Sequence, residues 1–408
     1  MSRSAKSNFE LPFALRSDGT ISTILAGKVS PIYWPDGRWC FAANAFLVDL
    51  IENNKSTIDG GGTITTYASQ VNHLVTYCYS RGMDFLDLTD NDFTDFVFSL
   101  SRNSHQPAVP ERNATTVLNI GRLALRFLDF LGRHLCDTPL VGAQGKINAE
   151  IRQVKDRRRH GWSAVWHHRS FPAPEPINNK KPIGTDSLEA LKAAAIECSG
   201  GSHFILMRRL AMILLLEVTG CRRAELNGIK THDIRRALRL SQPMLRVPSL
   251  KKGGNRIEMR EIPVNRSDLE FVDEYIEVSR RVLRRQLGFK GEDAGFLFLN
   301  ARTGRQLTTD TITAEFRNLG RHAGLRSAVS PHLLRHRFIT KIFVAIRERY
   351  RFESADEFTR ALQNNLALQR ELMQWTGHRS AQSLYVYIDA TYSAPEIKQF
   401  VADYLRHR

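Results

Sequence analysis

The chain has 408 residues, 42% of them hydrophobic and 25% charged. This is ordinary globular composition with length for two domains, and it excludes wholesale disorder, collagen-like repeats and a disulfide-stapled miniature. The 58 Lys and Arg against 42 Asp and Glu leave a net charge of +16, a surplus that favours a polyanionic partner, either nucleic acid or an anionic membrane surface. The membrane option is weak, because the most apolar stretch, Ala211 to Val218, is broken by Glu217 and preceded by Arg208 and Arg209, far short of a bilayer span. The opening MSRSAKSNFE is polar and shows no signal peptide. Cys40, Cys78, Cys136, Cys198 and Cys221 are odd in number, widely spaced and without a CxxC pair. They read as reduced thiols of a cytoplasmic protein, neither a zinc site nor a disulfide framework.

Residues 1–60 carry Gly, Pro and Trp without sustained periodicity, and Gly60-Gly61-Gly62 reads as a joint. From 61 to 150 the pattern is helical. Tyr67, Val71, Leu74, Val75 and Cys78 form one helical stripe, and Val117, Ile120, Leu123, Leu125, Phe127 and Leu128 cover a wider apolar arc. Residues 151–182 read as a basic linker in which Pro172, Pro174, Pro176 and Pro182 prevent continuous helix. Its Arg157, Arg158, Arg159, Lys180 and Lys181 are candidates for neutralising DNA phosphates as the connection passes around a duplex. From 183 to 408 the pattern is mostly helical, with Thr185 or Asp186 as N-cap of its first helix. One strand–turn–strand patch interrupts it: Met244 to Leu250, then Lys251-Lys-Gly-Gly-Asn, then Ile257 to Val264.

Four short stretches in this last zone carry chemistry. They are Thr219-Gly-Cys-Arg-Arg-Ala-Glu-Leu226, Pro331-His-Leu-Leu-Arg-His336, Gly377-His378, and Tyr387 within Leu384-Tyr-Val-Tyr-Ile388. Taken singly, each has a plain reading: a surface cation paired with Glu225, a solvated helix face, a turn histidine, a core tyrosine. Residues His332 and Arg335 are three apart and project from one face of a helix. Taken together and in this order, T-G-x-R-x-x-E-L, H-x-L-R-H and G-H with Tyr nine residues later resemble the tyrosine recombinase (phage integrase) family. The resemblance covers about 183–408 and extends more weakly to Tyr67-Ala-Ser-Gln-Val-Asn-His-Leu74, which is similar to the family's core-binding domain.

The resemblance implies a mainly α fold with a small β-hairpin in the catalytic domain. A helical core-binding domain (61–150) and a catalytic domain (183–408) would clamp duplex DNA, joined by the linker. It implies that Arg222 and Arg335 grip the non-bridging phosphate oxygens, where the transition state gathers negative charge. His332 and His378 would hydrogen-bond and handle protons. Tyr387 would be the nucleophile, giving a 3′-phosphotyrosyl link and a free 5′-hydroxyl with no cofactor, ATP or divalent metal. A hairpin lysine would protonate the leaving 5′-oxygen, and here Lys252, next to Gly253-Gly254, is preferred over Lys251. Glu225 would orient Arg222 or another site residue. Four protomers would pair two DNA sites and exchange strands through a Holliday junction, with accessory proteins as further partners.

This sequence departs from the family pattern in three places. Segment 345–370 reads as an inserted helical element whose charge mix suggests surface. Tyr385 and Tyr392 flank Tyr387 as rival nucleophiles, and Leu384 stands where Thr is frequent. Near the C-terminus, Ser393-Ala-Pro-Glu396 fits a capping box, followed by an apolar stripe of Ile397, Phe400, Val401, Tyr404 and Leu405. Such a helix docks either on its own domain or on a neighbouring protomer. Residues 1–60 would bind accessory DNA, contact partners or decorate the core. A DNA-binding regulator that keeps the fold without strand exchange is the alternative; it has no use for a nucleophile. A type IB topoisomerase or telomere resolvase would share the chemistry with different spacing. No carboxylate cluster or H-E-x-x-H pattern points to a metal nuclease.

Overall fold

The computed structural model describes residues 10–15, 20–25, 30–53, 55, 58–102, 112–136, 138–156, 161–175, 182–249, 258–288, 293–378 and 380–392. They fall into two compact units that divide between Asn178 and Asn179.

In the first unit, β1 (Glu10–Leu15) and β2 (Ile21–Leu25) pair antiparallel. Helices α1 (Phe41–Glu52), α2 (Ile58–Arg81), α3 (Asp90–Ser101) and α4 (Ala114–Leu135) follow. The stripes expected on α2 and α4 do face the core: Val71, Leu74, Val75 and Cys78 are buried beside Val117, Ile120, Leu123, Leu125, Phe127 and Leu128, with Tyr67 packed at the edge. Thr89 and Asp92 cap α3 reciprocally, and Asn113 Oδ1 accepts from Thr116 N at 2.8 Å to start α4.

Two expectations are corrected here. Residues before 60 are not featureless: α1 buries Phe46, Leu47 and Leu50 in the same core, and α2 begins at Ile58 and runs through Gly60–Gly62. Each interior glycine costs a helix about 1 kcal/mol, and the packing of the following turns outweighs it. Nor is 151–182 a linker throughout. Strand β3 (Val141–Gly142) runs parallel to β4 (Ile147–Asp156), which pairs antiparallel with β5 (Gly161–His168). The inward alternation Ile147, Ala149 continues to an exposed Ile151 opposite Trp166, and Val154 and Trp162 further out are exposed as well, so the apolar side chains of the outer half are left uncovered. The base of the ribbon is pinned by His168, whose Nε2 meets Asp90 Oδ1 at 2.8 Å. Arg157, Arg158, Arg159, Lys180 and Lys181 lie outside the described residues.

The second unit opens with α5 (Thr185–Glu197), capped one residue earlier than expected, at Gly184. The apolar α6 (His203–Thr219) leads to the short α7 (Arg223–Gly228) and α8 (Thr231–Leu238). Strands β6 (Met244–Ser249) and β7 (Glu258–Pro263) form the expected hairpin. Its tip, with Lys251 and Lys252, lies outside the described residues. Helix α9 (Arg266–Glu274) continues through a π-helical turn, Tyr275–Arg280, into α10 (Arg281–Gln286). Then come α11 (Thr309–His322), α12 (Pro331–Tyr350), α13 (Ala355–Asn364) and α14 (Leu366–Thr376). A 3₁₀ segment, Ala381–Tyr387, runs into α15 (Ile388–Tyr392). Among the described residues no helix is long and apolar enough to cross a membrane. The terminal helix expected after Ser393 lies outside them.

Segment 345–370 is helical as expected, but only one side of it is surface. Phe358 and Leu362 of α13 are buried in a separate small core with Ile339, Phe343, Leu368, Leu372, Leu384 and Tyr387. The Phe358 ring lies 5.5 Å from that of Phe343 and 4.8 Å from that of Phe352. Truncating a fully buried phenylalanine typically costs about 3–5 kcal/mol. Phe358→Ala should lose about that much in urea unfolding followed by the fluorescence of Trp375, and a loss below about 1 kcal/mol would mean that α13 is only loosely attached.

Candidate active site

The site forms where helix ends converge. Helix α6 stops at Gly220, which adopts φ +54°, and a Cβ there would lie 2.1 Å from the Phe338 ring, so both conformation and space demand glycine. The chain then turns into α7 with Arg222 as N-cap. Glu225, fully buried, accepts from the Arg222 backbone N–H at 2.9 Å and from Arg222 Nη1 at 2.7 Å. Glu225 thus contacts Arg222 through both its backbone and its guanidinium. Burial alone would raise the Glu225 carboxyl, but Arg260 and Arg222 outweigh it and hold its pKa below the ordinary value.

Helix α12 starts with Pro331 at its first turn and delivers Arg335 into the interior at 1% exposure. Arg335 Nη1 donates to Gly220 O and Nη2 to Thr376 O, both at 2.6 Å. Burial, reinforced by neighbouring Arg222, pulls its pKa down to about 10, which leaves it cationic near neutrality. His332 lies on the same side of α12 but stays at the exposed rim, its ring edge-to-face with that of His336 at 4.3 Å. His336 in turn sits 5.4 Å from the Tyr387 ring, a neighbour that the motif alone left without a role.

Helix α14 ends at Gly377, φ +64°, whose carbonyl accepts from Arg222 Nη2 at 3.1 Å. His378 Nδ1 lies 2.8 Å from Thr376 Oγ1, and that hydroxyl donates to Leu372 O at 2.6 Å. The hydroxyl proton being used, Nδ1 carries the ring hydrogen and Nε2 keeps the lone pair. Burial, with Arg335 and Arg222 nearby, drives the imidazole pKa down to about 2.

Tyr387 is 5% exposed, with its ring 5.9 Å from those of both His378 and Phe343. Burial raises its phenol above the ordinary value, while Arg335 and Arg222 pull it back. The rivals stand apart. The Tyr392 hydroxyl donates to Ser354 O at 2.8 Å and to Phe352 O at 3.2 Å, and Tyr385 is only partly buried at the edge of the small core. The structure thus gathers Arg222, Glu225, Arg335, His378 and Tyr387, with His332 at the rim.

It also adds Arg260, which sequence reading passed over. Arg260 Nη1 donates to Trp375 O at 2.6 Å and Nη2 to Glu225 Oε2 at 3.3 Å. Its signal was the alternation Arg260, Ile262, Val264 along β7, which turns an arginine inward.

Comparison with known proteins follows the same lines. Residues 185–345 match the phage integrase family model. The tyrosine recombinase XerD of Mycobacterium leprae is 34% identical over 283 residues, covering 69% of this chain and 78% of that protein. The XerD of Mycobacterium tuberculosis H37Rv is 33% identical over 291 residues, covering 70% and 81%. The chain belongs to the phage integrase family of tyrosine recombinases. It is therefore a DNA recombinase of the site-specific class. The XerH recombinase bound to a palindromic difH substrate superimposes with a TM-score of 0.50 at 16% identity, covering 93% of this chain and 91% of that one, and shares the fold. The matched family segment spans Arg222 to Arg335 and ends before His378 and Tyr387.

With a pKa near 2, His378 in the DNA-free recombinase is neutral throughout the physiological range. Its NMR resonances should stay flat from pH 8 to pH 5. An unfolded histidine titrates near pH 6.5 and takes up a proton that the folded one refuses. This group therefore lowers stability progressively as pH falls below about 6.5, and His378→Gln should flatten that part of the stability curve. A His378 midpoint above pH 6 would contradict the assignment.

Proposed function

We propose that this recombinase cleaves and rejoins DNA through Tyr387 in a 3′-phosphotyrosyl intermediate, serving integration, excision or resolution of a mobile element. The phenolic oxygen bonds to phosphorus as the bond to the 5′-oxygen breaks. The phenolic proton passes to the Nε2 lone pair of His378 once the bound phosphate offsets the field of Arg335 and Arg222 that keeps this imidazole unprotonated in the DNA-free protein. The leaving oxygen takes a proton from the hairpin lysine, Lys252 or Lys251. Arg222 and Arg335 counter the charge that builds on the non-bridging oxygens, and His332 adds a hydrogen bond from the rim. The bond energy stays in the phosphotyrosyl link, so religation needs neither nucleotide nor divalent metal.

The observation that carries this reading is the seat of Tyr387: a phenol buried among histidine rings, within the field of two arginines that favour its ionised form. DNA complexes are known for fold relatives, among them XerH on its difH site. For this chain we infer double-stranded DNA as substrate, clamped by domains 61–150 and 183–408, with the basic residues Arg157 to Arg159, Lys180 and Lys181 on phosphates. Four protomers on two sites, joined where needed by accessory proteins, complete the assembly in a cytoplasmic, nucleoid-associated setting.

The test is a nicked suicide duplex carrying the end of the element that bears the gene, incubated with protein in EDTA and run on a denaturing gel. A covalent protein–DNA band is expected from wild type and from Tyr385→Phe, and none from Tyr387→Phe. If wild type shifts the duplex in a native gel yet gives no covalent band, the protein is a DNA-binding regulator on this fold.

A further inference from the structure

Arg260 sits on β7 opposite Val247 of β6, on the strand that leads out of the hairpin carrying Lys251 and Lys252. It is 7% exposed, and its guanidinium adds a third link between the start of α7 and the end of α14, beside those made by Arg222 to Gly377 O and by Arg335 to Gly220 O and Thr376 O. One end meets Glu225, the carboxylate that fixes Arg222; the other meets Trp375 O, in the last turn of α14 before Gly377 and His378. Its Nε is buried without a hydrogen-bond partner and lies against Gly377, where an added Cβ would come within 3.2 Å. An orphaned N–H and a third guanidinium beside Arg222 and Arg335 are a costly arrangement if stability were the only return. Apolar residues often replace a whole buried ion pair without loss of stability, so the pair is not explained by stability alone, whereas removing Arg260 by itself leaves Glu225 buried with Arg222 as its remaining partner.

We propose that Arg260 is a positioning residue for strand cleavage, holding Glu225 and the end of α14 in register so that Arg222 and His378 meet the phosphate together. It bonds to no reacting atom. It acts by linking residues that are 35 and 115 positions away in sequence, and by tying the base of the lysine hairpin to the same point. A planar fork can reach a carboxylate and a carbonyl at once, whereas a lysine ammonium reaches one or the other.

The inference rests on the reading of Tyr387 as nucleophile, so wild type is run beside every variant. Covalent-complex formation is timed on the suicide duplex, DNA affinity is measured on the uncleaved duplex, and thermal melting is followed for each protein. Arg260→Met removes one partner of a buried pair and should melt several degrees below wild type while remaining folded, bind DNA within about threefold, and cleave about 100-fold more slowly, the scale expected when reacting groups are misplaced by about 1 Å. Arg260→Lys should recover part of the rate. Glu225→Gln combined with Arg260→Met should lose much less than the product of the single losses, because both changes release the same Arg222. Cleavage by Arg260→Met within about threefold of wild type overturns the proposal. So does fully multiplicative loss in the double variant, or a rate loss matched by equal loss of melting temperature and DNA affinity with no recovery in Arg260→Lys. Absence of a covalent band in wild type removes the Tyr387 reading, and this proposal with it.

Discussion

Three guanidinium groups packed around a single carboxylate are the constraint on which the catalytic unit depends. Arg222 and Arg260 bond to Glu225 while Arg335 acts on it through its field, and away from water like charges repel far more strongly than they do in bulk solvent. The fold compensates with helix ends. The last carbonyls of α6 and α14, those of Gly220, Trp375, Thr376 and Gly377, all accept from these arginines, and a helix C-terminus carries partial negative charge. The compensation is incomplete, since one carboxylate among three guanidinium groups leaves the cluster positively charged.

From that constraint follow the two glycines. Carbonyls at the end of a helix reach inward when the next residue is left-handed, and both Gly220 and Gly377 adopt positive φ. Gly220 also makes room for Phe338, one turn beyond Leu334 on α12, so the turn that frames Arg222 and the helix that carries Arg335 are fitted together by a single ring. The tyrosine is held differently. Its seat is apolar and aromatic, formed largely by α12 and α13, with the rings of His336 and His378 beside it on the side of the charged cluster.

Much of this was legible in the sequence because the chemistry sits in short local patterns. Thr219 to Leu226 encodes a helix end, a glycine turn and a capped arginine; Pro331 to His336 encodes a helix start with its arginine one turn in; Gly377-His378 encodes another helix end. What escaped depends on partners distant in sequence. Arg260 looks like one more charge among Glu258, Met259 and Glu261 until β7 is paired and its inward face known. His336 gains a neighbour only when Tyr387 folds back onto α12. The strands at 147–168 were hidden because their outer half exposes both faces, which removes the alternation that marks a strand. Phe358 and Leu362 were masked by the acidic and basic residues on the opposite side of α13.

The two halves of the site differ in how far apart their parts lie along the chain. The core around Tyr387 draws on residues 339 to 388, an almost continuous stretch that closes through short loops. The arginine cluster links positions separated by 115 and 155 residues, so it closes only when the whole unit has assembled. A chain that has folded only its C-terminal third has its tyrosine seated and its cations scattered. On the role proposed for Tyr387, such a chain holds a nucleophile without the charge that would make it dangerous to DNA, and the competence to cut arrives with the last long-range contacts to form.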